Sequence, residues 1–282
     1  MKLLLVFLLI TTSNLVFATS PQLPDLLKIG NDTVYLYKLP IEGIPKEKYD
    51  KLINSISKFE NGTYTSTNLW RGFQAIWEFR DNQLYLTDIK NAKHSKDILK
   101  LVFPNFENGS VKATWFSSFL IIPKDKTLRW DGVLEKSYLK EEILYFRKGN
   151  FKKRYVFENY IQVVNGIPRI DQKKVPEILF ESLEKLNWEV LSKYHCDDAY
   201  FVTIGKKGKV TKVKLVPIFD SNWDNFWYNF SQAKCNRLIR KNLCELQFDI
   251  VKWHGKPIKE TYKINFFYDD DEKKLKSLLP NY

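Results

Sequence analysis

Histidine, cysteine and carboxylate side chains are the residues of this chain that could support acid–base or metal chemistry. The three histidines are His94, His195 and His254. One local cluster combines metal-ligand types, since residues 195–198 are His-Cys-Asp-Asp, and His254 could approach it across a sheet. Zinc sites use recognisable ligand spacings, which adjacent ligands do not provide. A polar turn before a strand explains the cluster better, and we predict no metal site.

Catalytic motifs of fixed spacing are missing from the sequence. It contains no G-x-S-x-G, H-E-x-x-H, P-loop or G-x-G-x-x-G pattern. The acidic runs at 141–142 and 269–271 fall in turns or tails, where solvated charge explains them. We therefore predict that the protein is not an enzyme and that it uses no cofactor.

Four tryptophans form a second group that could bind a ligand. They are Trp70, Trp77, Trp115 and Trp130. Aromatic rings can line a groove for a carbohydrate or a peptide. Large aromatic side chains also dominate protein cores, and we favour that role for these four. A carbohydrate-binding or enzymatic N-terminal domain is the alternative function that they leave open.

The cysteines allow one disulfide. Cys196, Cys235 and Cys244 are an odd number for an exported chain, which fits one bridge and one free thiol, or three buried thiols. Cys196 precedes a predicted strand, and the other two lie on or near a predicted helix. A bridge from Cys196 to either one would connect strand and helix, and the spacing does not choose between them.

The N-terminus has the pattern of a secretory signal. Met1-Lys2 precedes a short apolar run at residues 3–10, and Ala18 follows Val16 at the positions that a signal peptidase recognises. We predict cleavage after Ala18 and export to the periplasm or cell envelope of a bacterium. An uncleaved membrane anchor is the alternative, but the run is shorter than the roughly 20 residues that a spanning helix needs.

The formal net charge of +12 is spread along the chain, with its densest cluster at residues 147–154. A basic cluster can attract an anionic lipid surface or nucleic acid. We favour a solvated hairpin turn, and export argues against nucleic acid as a partner. A basic, membrane-peripheral protein is the remaining alternative.

Residues 19–165 predict a mainly antiparallel β domain with a helix or two. Residues 73–79 and 83–87 are strand patterns on either side of a turn, and 143–146 is predicted to pair with 154–157 across the basic turn. Helical spacing occurs at residues 45–57 and, more briefly, at 95–103. The segment 165–174 contains Gly, Pro and polar residues and predicts a domain boundary.

The C-terminal part predicts two strands, a helix and a third strand. Residues 199–204 and 210–216 flank a Gly-Lys turn, a helix follows around 230–243, and 257–268 form the last strand. This strand has little sequence left to cover it, so we predict a sheet edge that accepts a partner's extended peptide. The candidate partner-binding residues, on one face of that strand, are Thr261, Lys263, Asn265 and Phe267.

Taken together, residues 175–268 resemble the TonB C-terminal domain family. The landmarks that carry this resemblance are the strand at 200–204, the turn and strand at 207–216, the helix at 230–243, Gly-Lys-Pro-Ile at 255–258 and the strand at 262–266. The resemblance implies an αββαβ fold and an envelope interaction module that adds a peptide of an outer-membrane protein to its sheet. The long Pro-rich spacer of an energy transducer is absent, so we expect binding without energy transduction.

Residues 66–126 resemble, more weakly, a family of uncharacterised exported bacterial proteins. The stretches that carry this similarity are 66–73, 84–89 and 113–117, and it implies no activity. The sequence as a whole predicts an exported two-domain α+β protein. Its predicted parts are a signal peptide at 1–18, a β-rich domain at 19–165, a TonB C-terminal-like domain at 175–268 and a polar tail at 269–282.

Overall fold

The computed structural model describes residues 21–59, 68–216, 230 and 232–278, which form a mixed α+β protein. They divide into two compact units. Unit 1 comprises the described residues up to Leu120 with Trp130–Glu135 and Tyr145–Lys152, and unit 2 comprises the rest. This division differs from the boundary predicted at 165–174, because unit 2 takes up chain well before that segment. The predicted signal segment lies outside the described residues.

Unit 1 is built around a sheet in which β2, β1, β3 and β4 are neighbours in that order. β1 and β3 are parallel, and the other two pairings are antiparallel. Four strands, β6, β7, β9 and β10, carry residues of both units. The first eleven strands of the described residues are β1 (Asp25–Ile29), β2 (Asp32–Leu36), β3 (Gln74–Arg80), β4 (Gln83–Lys90), β5 (Val111–Lys112), β6 (Phe119–Pro123), β7 (Thr127–Trp130), β8 (Lys136–Tyr138), β9 (Lys140–Arg147), β10 (Asn150–Glu158) and β11 (Tyr160–Ile161).

Both predicted hairpins of this region are confirmed. Between β3 and β4, Asp81 and Asn82 have φ values of 50° and 56°. Between β9 and β10, Lys148 and Gly149 have φ values of 50° and 72°. Two consecutive residues with positive φ match the right-handed twist of the flanking strands, which is why Asn and Gly are common there. The basic cluster therefore surrounds a tight turn.

The two predicted helices of unit 1 are also confirmed, as α1 (Lys46–Phe59) and α2 (Ser95–Val102), and a short 3-10 helix at Pro40–Gly43 precedes α1. Their apolar residues recur at helical spacing and are buried, so each helix turns one stripe towards the core. The buried helix residues are Leu52, Ile56, Ile98, Leu99 and Val102.

Unit 2 contains a four-stranded sheet in the order β13-β12-β16-β17, with helices on one face. A smaller sheet joins β11, β14 and β15, and β7 pairs with β8. The remaining elements are α3 (Lys174–Glu184), α4 (Trp188–Leu191), a 3-10 turn (Ser192–Tyr194), β12 (Ala199–Ile204), β13 (Val210–Leu215), α5 (Ala233–Leu243), β14 (Ile250–Trp253), β15 (Lys256–Pro257), β16 (Glu260–Asp269) and β17 (Lys274–Ser277).

The core of unit 2 lies between this sheet and helices α3 and α5. Alternate strand residues point inward, as a sheet with one covered face requires. The inward residues of the strands include Tyr200, Val202, Ile204, Ile264 and Phe266, and the helices contribute Leu179, Leu183, Ile239 and Leu243. The aromatic ring of Phe266 stacks on Tyr200 with centroids 5.6 Å apart.

Candidate functional site

The long strand β16 has a strand partner on each side, but one partner is short. On one side, β12 pairs antiparallel with residues 260–265. On the other side, β17 pairs with residues 266–269, and the N–H of Leu278 donates to the carbonyl of Asn265 at 2.8 Å. Within the described part of the chain, no strand pairs with residues 260–264 on this second side.

Backbone directions along β16 follow from two of its hydrogen bonds. The Asn265 carbonyl faces β17, whereas the N–H of Phe266 donates towards β12, to Asp198. In an antiparallel strand the N–H and C=O of one residue point to the same side, and successive residues alternate. The backbone groups of Lys263 and Thr261 therefore point away from β12. We call these groups on the uncovered side of β16 the open edge.

The four predicted partner-binding residues divide into two pairs. Thr261 and Lys263 have exposed side chains and supply the open edge. Asn265 and Phe267 do not lie at an edge, because Asn265 accepts a bond from Leu278 and Phe267 lies opposite Lys276 of β17. The expectation of an uncovered strand is thus corrected for its C-terminal half.

The strand that covers this half comes from the segment predicted as a polar tail. Leu275 of β17 is only 3% exposed and joins the apolar core of unit 2. Lys276 contacts Asp269 at 2.6 Å and Glu272 at 2.7 Å. One buried leucine and these ion pairs hold β17 against β16.

A buried ion-pair cluster fixes the N-terminal end of β16. The guanidinium groups of Arg129 and Arg169 both donate to the carboxylate of Glu260, with Arg129 Nη2 at 3.1 Å from Oε2. Arg169 is fully buried and Arg129 is 5% exposed. The hydroxyl of Tyr262 donates to the same carboxylate at 2.8 Å. Two arginines distant in sequence and the nearby Tyr262 thereby fix Glu260, where β16 begins.

The electrostatics of this cluster favour the charged carboxylate. Burial by itself raises the pKa of Glu260, but the hydrogen bond and charge of Arg129 and the charge of Arg169 outweigh it and hold the pKa below its usual value. Burial and the adjacent Glu260 charge raise the pKa of Tyr262 to about 12. The phenol therefore stays a hydrogen-bond donor at neutral pH.

The cluster at residues 195–198 does not offer the ligands that a zinc site would need. Cys196 is bonded to Cys235 in a disulfide, so its sulfur is not a free thiolate. The imidazole of His254 does not approach this cluster: its Nδ1 lies 2.5 Å from Oε1 of the buried Glu141. Among the described residues, no group of three or more metal-ligating side chains comes together.

The disulfide connects the segment before β12 to α5, and Cys244 is exposed outside it. Both bonded cysteines are buried in the core of unit 2, at 0% and 1% exposure. The bridge therefore links the helical layer to the sheet from inside the core.

The four tryptophans considered as a groove occupy different environments in unit 1. Trp77 is fully buried, and its indole N–H donates to Asp25 at 2.9 Å, so it lines no surface groove. Trp115 is half-buried, stacks on Phe103 and donates to a backbone carbonyl. Trp70 and Trp130 are exposed, at 53% and 44%.

Unit 1 also contains a buried ion pair that the sequence did not indicate. Asp25 is fully buried and accepts from Arg71 at 2.5 Å, from the Ala75 N–H at 3.1 Å and from Trp77. Burial raises the pKa of Asp25, and the charge of Arg71 acts against that rise. This pair joins β1 to the segment before β3, which supports a structural role.

The basic cluster keeps most of its charge at the surface. Arg147, Lys148, Lys152 and Lys153 are exposed, while Arg154 pairs with Glu142 at 2.6 Å. Among the described residues, no helix has the length and apolar character to cross a bilayer.

Comparison with protein-family models, with curated proteins and with solved structures found no match to this chain.

Proposed function

We propose that this chain is an exported protein whose C-terminal part is a protein-interaction module at the bacterial cell envelope. In this proposal, the open edge of β16 accepts an extended peptide of an envelope or outer-membrane protein, which would connect the module to outer-membrane transport. The observation that carries it is the outward-facing backbone of Thr261 and Lys263. No strand of the described residues pairs with these groups, and groups of this kind supply affinity for an added strand.

The resemblance to the TonB C-terminal domain supports the same proposal. When the short elements α4, β14 and β15 are set aside, the element order α3, β12, β13, α5, β16 and the strand order β13-β12-β16 agree with the αββαβ arrangement that the resemblance implies. The covering strand β17 lies outside the region of that resemblance. Its presence restricts a docked peptide to the N-terminal half of β16 unless β17 leaves.

The test combines photo-crosslinking with a backbone substitution. A photo-reactive residue replaces Thr261, and proteins captured in the native cell are identified by mass spectrometry. Lys263→Pro removes the N–H that points to the open edge, and it leaves the hydrogen bonds of the neighbouring residues to β12. Lys263→Ala is the matched control, since it removes the side chain and keeps that N–H.

Strand addition predicts one envelope-protein adduct in the parent and in Lys263→Ala, and its loss in folded Lys263→Pro. Circular dichroism and the thermal midpoint establish that the proline variant is folded. Adducts that persist in Lys263→Pro, or crosslinks confined to the chain itself, would refute the proposal.

A further inference from the structure

We infer that the peptide bound at the open edge carries acidic side chains on the solvent face of the sheet, alternating with apolar ones on the other face. This inference rests on the strand addition proposed above and adds the chemical class of the partner. Its support comes from the two faces of the sheet beside the open edge.

The solvent face beside the open edge is basic. Strand pairing aligns six residues there in two rows across β13, β12 and β16, and three of them are lysines and none is acidic. The rows are Lys214, Phe201 and Lys263, and Lys212, Thr203 and Thr261.

The three lysines of this face are exposed, and Phe201 between two of them is 37% exposed. No carboxylate partner for any of the three occurs among the described residues. A strand that docks beside β16 would lie next to this positive charge, and opposite charges across neighbouring strands attract.

Of the three lysines, Lys263 should contribute most to the attraction for an acidic peptide, because it lies nearest to the added strand. Neighbouring strands lie about 4.8 Å apart, so an added strand has Lys263 as a direct neighbour and lies roughly 14 Å from β13. The Debye length is about 8 Å at physiological salt, which screens Lys212 and Lys214 much more than Lys263. Acidic preference is expected to be strongest at the peptide position opposite Lys263.

Beyond Glu260 and the two arginines that it binds, the other face of the same strand is apolar. Tyr262 and Ile264 alternate with the exposed residues and are buried, and α3 packs against β16 on this side. Side chains of an added strand also alternate between the two faces. Positions that follow the buried face are therefore expected to be apolar, which gives the peptide an acidic–apolar alternation.

Selection from random octapeptides displayed on phage tests this inference with the full chain as bait. Peptides that bind the parent chain are counter-selected against Lys263→Pro, so that only those needing the open-edge N–H are kept. Lys263→Glu then reverses the local charge. Lys241→Glu on α5 is the matched control, because it makes the same charge change on an exposed helix residue away from the solvent face.

Three outcomes are distinguishable. We call a peptide proline-sensitive when it binds the parent chain but not Lys263→Pro. Proline-sensitive peptides with Asp or Glu at alternate positions support the inference. Lys263→Glu should then weaken their binding about tenfold, while Lys241→Glu leaves their binding unchanged. Proline-sensitive peptides without acidic enrichment overturn the inference and leave strand addition standing. If no peptide is proline-sensitive, strand addition at this edge fails, and the inference fails with it.

Discussion

The carboxylate of Glu260 connects two arginines that come from far apart in the sequence. Arg169 lies 91 positions before it and Arg129 lies 131 positions before it. Each guanidinium is buried, and Glu260 is the carboxylate that both contact. A buried charge that loses its counter-ion is costly, because neither water nor another group replaces the partner.

Glu260→Gln should therefore destabilise unit 2 strongly. The amide cannot balance Arg129 and Arg169, and we expect the free energy of unfolding to fall by about 3 kcal/mol. Urea denaturation measures the change. Lys259→Gln, at the exposed neighbouring position, is the control and should change stability by less than about 0.5 kcal/mol. Equal stability of the two variants would contradict a structural role for the cluster.

Titration of the Glu260 carboxylate should also make the stability of unit 2 depend on pH. Its pKa is lower in the folded state than its ordinary value of 4.5. Its stabilising contribution is thus complete above that value and is lost as pH falls through the folded pKa. Between about pH 5 and pH 2, the unfolding free energy of the parent should fall more steeply than that of Glu260→Gln. Parallel pH profiles of the two proteins would show that the pKa is not lowered.

Gly208, in the turn between β12 and β13, is a second residue whose substitution should destabilise unit 2. Its φ is +73°, and a Cβ there would lie 2.0 Å from the carbonyl oxygen of Phe248. Gly109 is a matched control, with φ of +74° and no heavy atom within 4 Å of the same Cβ position.

Alanine at the two glycines should separate backbone strain from collision. Gly109→Ala is expected to cost about 1–2 kcal/mol through its conformation alone. Gly208→Ala should cost about 2 kcal/mol more, because the Phe248 backbone must also move. Thermal denaturation of both variants checks this difference, and similar costs would mean that the turn relaxes freely.

At the scale of elements, the length of β17 sets how many backbone groups of β16 are paired on its second side. Leu275 is the one buried side chain of this strand, whereas Leu278 just after it is 52% exposed. The bond from Leu278 to Asn265 belongs to its backbone, so a side-chain change there leaves it in place. β17 therefore depends on Leu275 more than on any other of its side chains.

Leu275→Ala should weaken the pairing of β17 with β16 while the chain keeps its full length. The amide of Phe267 faces β17 and should lose hydrogen-exchange protection by at least about tenfold, since local opening exposes that ladder first. The amide of Ile264 faces β12 and should lose far less. Leu278→Ala is the control and should leave both amides unchanged. Equal loss at Phe267 and Ile264 would indicate that the sheet opens as one unit.

At the scale of the whole molecule, the disulfide is the covalent constraint on unit 2. It joins Cys196 to Cys235 across 39 positions. Closing a loop of that length lowers the entropy of the unfolded chain, which corresponds to about 4 kcal/mol in the chain-entropy description. Replacing both cysteines with alanine should lower the unfolding free energy by a large part of that amount. Denaturation of Cys244→Ala provides the control, and no difference between the two variants would contradict this role.

Local patterns account for much of the fold. Alternation predicted the two faces of β16, so that Tyr262 and Ile264 are buried and Thr261 and Lys263 are exposed. Helical spacing predicted α1 and α2, and turn residues predicted the hairpin between β3 and β4. These features depend on residues close in sequence, which a single sequence displays directly.

The candidate site needed more than local pattern. Lys-Leu-Lys-Ser has one apolar residue and no strand signal of its own, yet it becomes β17 because the edge of β16 and a core position for Leu275 are available. The burial of Trp77 likewise depends on packing partners distant in sequence.

The sequence by itself determined the main helices and hairpins, the two faces of β16 and the cysteine positions that allow one bridge. The tertiary structure alone decided which half of β16 stays open, which cysteines pair and which carboxylate balances Arg129 and Arg169. The physical reason is that pairing and burial depend on groups brought together by folding, and their separation along the chain carries no local pattern.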